Sequence, residues 1–211
     1  MAFLNPSCSF TRFRVRDAIP EEFWPTVPEK LKQFVFHDID DLPEERAFGW
    51  VSFDDMLDTT WSQSQPYKGR FIVFSLRLDT RRIPAAVLKK HYTLALKEEQ
   101  KRMLELNKKY VARERKRELK EQVILKLRQR FLPIPAEFNV IWSLERNELW
   151  FGSTHGKMVD LFMDYFQQSF DLHLEQITPV GLAERSLDEQ GMLAVERLEE
   201  TQFVAYGGDA S

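Results

Sequence analysis

The segment from Ala85 to Gln129 contains neither glycine nor proline, and this uninterrupted run constrains the fold more than any other feature of the chain. Nothing in it breaks helical hydrogen bonding, and it is rich in Leu, Lys, Arg and Glu, so it is expected to be helical throughout. Pro84 sits where a first helical turn tolerates proline, and Pro133 and Pro135 close the region. The apolar residues on the two sides of Asn107 do not share one phase. Two helices meeting near LNKKYV (106–111) are therefore expected.

This region also distorts the charge balance. Lys89 to Arg130 holds 15 Lys or Arg against 6 Glu, a local +9, so the remaining residues carry about −12 within a net charge of −3. A near-neutral total therefore does not exclude a polyanionic partner, provided the basic residues share one surface. On a helical projection Leu88, Tyr92, Ala95, Met103 and Leu106 gather on the face expected to be buried. Lys90, Lys97, Lys101 and Lys108 fall within about 40° of one another on the opposite side. A row of like charges is unfavourable by a few tenths of a kcal/mol per close pair unless an anion compensates. In the second helix Arg113, Arg117, Lys120 and Arg128 lie beside Glu114, Glu118 and Glu121, where pairs such as Arg117–Glu121 neutralise one another. Its C-terminal half, with Leu119, Val123, Ile124, Leu127 and Phe131, reads as anchored, and residues 104–116 as projecting from the body.

The rest of the chain reads as α+β. SFTRFRVR (9–16) alternates, with Phe13 and Val15 on one side and Arg12, Arg14 and Arg16 on the other, the pattern of a half-buried strand. A short helix broken by Pro25 and Pro28 follows, then strands at RAFGWV (46–51) and GRFIVFSLRL (69–78) with a loop between them. FNVIWSL (138–144) and LWFGST (149–154) form a hairpin around ERNE, and Ser153 or Thr154 can cap a helix whose apolar face is Met158, Leu161, Phe162, Tyr165 and Phe166. LHLEQITPV (172–180) is the last strand, and the acidic end closes on YGGDAS, expected to be disordered. The expected architecture is antiparallel sheets in two similar halves, 1–83 and 133–182, joined by a charged helical pair at 84–132 and followed by an acidic tail at 183–211.

Several chemistries find little support. The carboxylates in HDIDD (37–41) and FDDMLD (53–58) are in loops and carry no recognised nuclease signature, whereas a two-metal nuclease needs carboxylates converging on ions about 4 Å apart. The four histidines lack metal-ligand spacing, Cys8 has no base partner, and THGK (154–157) lacks the phosphate-loop pattern. Trp142 and Trp150 are expected to pack in the hairpin core. No window approaches the ~18 apolar residues of a spanning helix, and the N-terminus reads as unprocessed and cytosolic. No cofactor or metal is expected. From residues alone, the basic stretch is a phosphate-contacting surface, a solvated face or a partner-docking helix.

RIPAAVL (82–88), RERKRELKEQVILKL (113–127), FLP (131–133), VIWSL (140–144), ELWFGST (148–154) and ITPVGL (177–182), in this order and with GWV (49–51) and GRFIVFSLR (69–77) before them, resemble the RdgC family over roughly residues 9–182. The resemblance implies a protein of the nucleoid that binds double-stranded DNA with little sequence preference; some family members carry the label of exonuclease, but the residues here give an enzyme little support, and a non-enzymatic binding protein is expected. It also implies a ring-shaped homodimer around the duplex that restrains RecA-mediated strand exchange, with basic residues lining the hole. The phosphate-contacting candidates here are Lys90, Lys97, Lys101, Lys108, Lys109, Arg113, Arg117 and Lys120 of the helical pair, with Arg12, Arg14 and Arg16 of the first strand. Typical members continue into a further C-terminal region, and FLP is followed here by IPAEF, so an open clamp or another oligomer stands beside the closed ring. The alternative function is docking of an acidic protein partner through the basic helix without DNA.

Overall fold

The computed structural model describes residues 3, 6–62, 64–107 and 110–199. Its elements are β1 (Thr11–Val15), α1 (Val27–Gln33) after a 3-10 turn at Glu21–Thr26, β2 (Arg46–Val51), β3 (Tyr67–Lys68), β4 (Phe71–Thr80), α2 (Ala85–Glu105) and α3 (Arg113–Arg128). They continue as β5 (Ile134–Ser143), β6 (Glu148–Phe151), α4 (Gly156–Phe170), β7 (Leu174–Gln176), α5 (Pro179–Ser186) and α6 (Glu189–Glu196).

The α+β class holds, but the strands build one antiparallel sheet of seven rather than a sheet in each half. The order is β2-β4-β5-β6-β1-β7, with β3 also paired to β4. β4 and β5 share a ten-residue register from Phe71↔Ser143 to Thr80↔Ile134. β1 inserts between β6 and β7, so strands from both ends of the chain interleave. β5 begins at Ile134, earlier than its alternation suggests, and includes Pro135. Its other neighbour β6 pairs only with Val140–Ser143, so the missing N–H of Pro135 leaves no ladder bond unmade.

The strand alternation sets up the core. Phe13 and Val15 of β1 are buried while Arg12 is exposed. Trp50, Phe74, Leu76, Val140, Trp142, Leu149 and Phe151 point to the same side, where α4 lays down Phe162, Phe166 and Phe170. Phe151 and Phe162 stack with ring centroids 4.2 Å apart. Trp150 is on the opposite face from Trp142, since Trp142 pairs with Leu149 and Ile141 with Trp150. It packs there against Phe10 and Phe71 rather than in the hairpin core.

Two polar ties fasten the layers. The Trp50 indole donates to Ser169 Oγ at 2.8 Å, and that hydroxyl donates to the Tyr165 carbonyl at 2.7 Å. The Tyr165 hydroxyl donates to the Phe34 carbonyl at 2.8 Å, and burial pushes its pKa up to about 12. At the sheet edge the strand-like segment at Val35 bridges Trp50 in parallel fashion and crosses directly over Gly49. A Cβ at Gly49 would lie 2.4 Å from Phe36 N and Cα, so glycine is required by the close approach of two backbones.

Ser153 Oγ accepts from His155 N–H at 3.2 Å ahead of α4, whose N-cap is His155 rather than Ser153 or Thr154. The last strand is only three residues long, because Thr178 and Pro179 start α5, with Thr178 Oγ1 accepting from Gly181 N–H at 3.1 Å. Asp188 caps α6 in the same way. Helix therefore occupies much of the acidic region, while YGGDAS lies outside the described residues. Among the described residues no helix is long and apolar enough to cross a membrane.

Candidate nucleic-acid interface

The glycine-free region forms two helices, α2 ending at Glu105 and α3 starting at Arg113, and after the first of them Asn107 takes a left-handed conformation with φ +55°. They pack chiefly on each other and contribute nothing to the main core. Leu119, Val123 and Leu127 are buried against this pairing, with Ile124 and Phe131 half-buried, so what α3 joins is a small interface with α2. The result is a helical arm. At its turn Leu104, Leu106 and Tyr110 are strongly exposed while Val111 is buried.

On α2, Leu88, Tyr92, Ala95 and Met103 are half-buried as the projection suggests, but Leu106 is exposed. The buried residue of α2 is Glu99, 7% exposed. Glu99 falls in the middle of the projected apolar stripe, a signal that an apolar count passes over. Arg115 of α3 explains it, with Nε donating to Glu99 Oε1 at 2.9 Å and Nη1 to Glu118 at 2.9 Å. The Arg115 hydrogen bond holds the Glu99 carboxyl below its ordinary pKa, and the two carboxylates push the Arg115 guanidinium up.

This pairing decides which cations stay available. Arg117 Nε donates to Glu121 at 3.1 Å, as the spacing suggests, and Arg128 reaches Glu45 at the arm's base. Glu99, Glu118 and Glu121, three of the six glutamates between Lys89 and Arg130, are thus taken up by arginines. Lys90, Lys97 and Lys101 are all exposed, and among the described residues none of them makes an ion pair; the same holds for Arg113 and Lys120. Lys108 and Lys109 lie outside the described residues. From Lys90 to Lys101 the helix rises about 16 Å, a length over which a duplex carries roughly ten phosphate charges.

The arginines of β1 are engaged differently. Arg12 Nη2 is 3.0 Å from Glu148 Oε2 and Arg14 Nη2 is 3.7 Å from Glu148 Oε1, so one carboxylate of β6 serves both. Arg16 is exposed beyond the strand end. Among the described residues no hydrogen bond or ion pair joins these arginines to the arm.

The clustered aspartates hold loops together. Arg81, 3% exposed, donates through its guanidinium to the carbonyls of Ile39 at 2.8 Å, Asp40 at 3.0 Å and Glu44 at 2.9 Å, and to that of Leu42. Asp38 Oδ1 accepts from Asp40 N–H, Asp55 Oδ1 from Leu57 N–H, and Asp58 Oδ1 from Thr60 N–H and Oγ1–H. Asp54 takes Lys68 and Ser64, which hold its carboxyl below the usual range. Among the described residues no three His, Cys, Asp or Glu side chains gather in a metal-binding group.

No curated protein matches the chain. The family model described as "Putative exonuclease, RdgC" matches residues 10–187 of 211, from β1 through α5 and across the whole arm. The chain belongs to the RdgC family.

Proposed function

We propose that this protein binds double-stranded DNA without sequence preference, taking the phosphate backbone on the lysine ridge of α2, and acts in recombination at the nucleoid by restraining RecA-mediated strand exchange. The observation that carries this reading is the contrast within the arm. Arg115, Arg117 and Arg128 are neutralised by glutamates, whereas, among the described residues, Lys90, Lys97 and Lys101 stay exposed and make no ion pair on one side of the helix. Such a ridge is suited to sequence-independent contact, since phosphate contacts position a duplex without reading it. Arg113 and Lys120 join the ridge in this reading, with Lys108 and Lys109 as candidates outside the described residues, and Arg117, Arg12, Arg14 and Arg16 are secondary contacts because Glu121 already balances Arg117 and Glu148 balances Arg12 and Arg14. A homodimer that sets two arms around the duplex fits the family.

Fluorescence anisotropy with two unrelated duplexes of equal length tests the proposal. Equal affinities that fall steeply with salt are expected. Binding of neither duplex at low salt would favour the second reading, in which the arm docks an acidic protein. That reading draws on the apolar tip of Leu104, Leu106 and Tyr110, which has no use for phosphate.

A further inference from the structure

The sheet is longer than the helix that covers it. β4 and β5, at ten residues each, extend about 34 Å, whereas the 15 residues of α4 extend about 22 Å. Beyond the start of α4 the core face of the sheet therefore continues as the floor of an open groove. Its floor is Leu78, Ile134, Ala136 and Phe138, with Met158 of α4 along one side. Ile134 is 58% exposed although it points the same way as the core.

The rim is mainly basic. Arg46, Arg82, Lys157 and His155 surround the floor, all exposed, and among the described residues no carboxylate pairs with the first three. The one acidic residue at the rim, Glu45, is bound to Arg128. His155 and Lys157 also stand at the positive end of the α4 dipole, whose first turn holds no acidic residue, and a bound anion would relieve that repulsion. Beside the groove β2 is one of the sheet's two edge strands. Trp50 N–H and C=O are taken by Phe34 and Phe36, while two residues earlier the outward backbone groups of Phe48 face no described strand.

We propose that this groove docks an extended segment of a partner protein that is acidic and carries apolar anchors, with Leu or Phe side chains on the floor and Asp or Glu against Arg46, Arg82 and Lys157. Charge complementarity selects the acidic residues. The apolar floor selects a peptide over nucleic acid, whose backbone has nothing to bury on Ala136 and Phe138. The groove shares no lining residue with the lysine ridge, so variants can tell a protein address from a duplex address on this chain.

The test uses the full chain and a fluorescein-labelled synthetic peptide alternating Asp or Glu with Leu or Phe, followed by anisotropy at physiological salt. Three variants of the titration are compared: wild-type protein, Arg46→Ala/Arg82→Ala/Lys157→Ala, and Lys90→Ala/Lys97→Ala/Lys101→Ala. The expected result is saturable binding that weakens about tenfold or more in the groove variant, is unchanged in the ridge variant, and is lost when Ser replaces Leu and Phe in the peptide. In wild-type protein, NMR signals of the Ala136 and Met158 methyls shift on peptide addition, a readout that does not depend on any variant folding. No saturable binding, an undiminished affinity in a folded groove variant, or methyl signals that stay in place would overturn the proposal. So would equal binding of the serine peptide, or a groove variant that loses duplex rather than peptide. Failure of wild type to bind DNA would sink the ridge reading and leave the groove untouched.

Discussion

Arg115 of α3 and Glu99 of α2 meet at 2.9 Å, and this pair is the buried polar tie between the two helices of the arm. Because Arg115 favours the charged form, the Glu99 carboxyl titrates below its ordinary value of 4.5. A carboxyl depressed in the folded state contributes stability that is complete above the ordinary value and is lost as pH falls through the lowered one. Amide protection factors in α2 and α3, corrected for the intrinsic exchange rate at each pH, are therefore expected to fall as pH drops below 4.5 while those of the β4–β5 ladder hold. Glu99→Gln should remove that pH dependence. Arg115→Met should loosen the arm already at neutral pH. An arm whose exchange follows the sheet at every pH would contradict this account.

Gly49→Ala should destabilise the fold by about 2–3 kcal/mol, near the top of the range for overpacking, because the new methyl meets backbone rather than a movable side chain. Urea unfolding measures it, and a change below about 0.5 kcal/mol would show that the 34–36 segment yields easily.

Arg81→Lys should cost about 3 kcal/mol. An ammonium cannot reproduce the planar reach of a guanidinium to four carbonyls, and those carbonyls would be left short of donors in a buried site. The loss should appear first as proteolysis within residues 39–45. Wild-type resistance there would contradict the clamp.

Much of this was legible from local pattern. The alternation of Arg12, Phe13, Arg14 and Val15 and the spacing of Phe162 and Phe166 report burial directly, because neighbours along the chain share one sheet or one helix. The absence of glycine and proline from Ala85 to Gln129 is matched by the helices α2 and α3. The sheet order was not legible, since the insertion of β1 between β6 and β7 rests on pairings between residues more than a hundred positions apart. Trp150 went to the other face because a shift of one residue along β6 reverses a side chain. Glu99 was missed because burial of a carboxylate depends on Arg115, which is on another helix. Likewise, Arg12 and Arg14 look free in sequence, and only the register Arg14↔Glu148 reveals their partner.

The central claim is that the unpaired ridge of α2 takes the phosphate backbone. Its most direct test is the salt dependence of binding to a random-sequence duplex, measured by anisotropy for wild type and for Lys90→Ala/Lys97→Ala/Lys101→Ala. Removing three phosphate contacts should lower the slope of log affinity against log salt by about 2–3 and weaken binding at least tenfold, with helicity unchanged. A folded variant that keeps both the slope and the affinity of wild type would contradict the claim and move the contacts away from this helix.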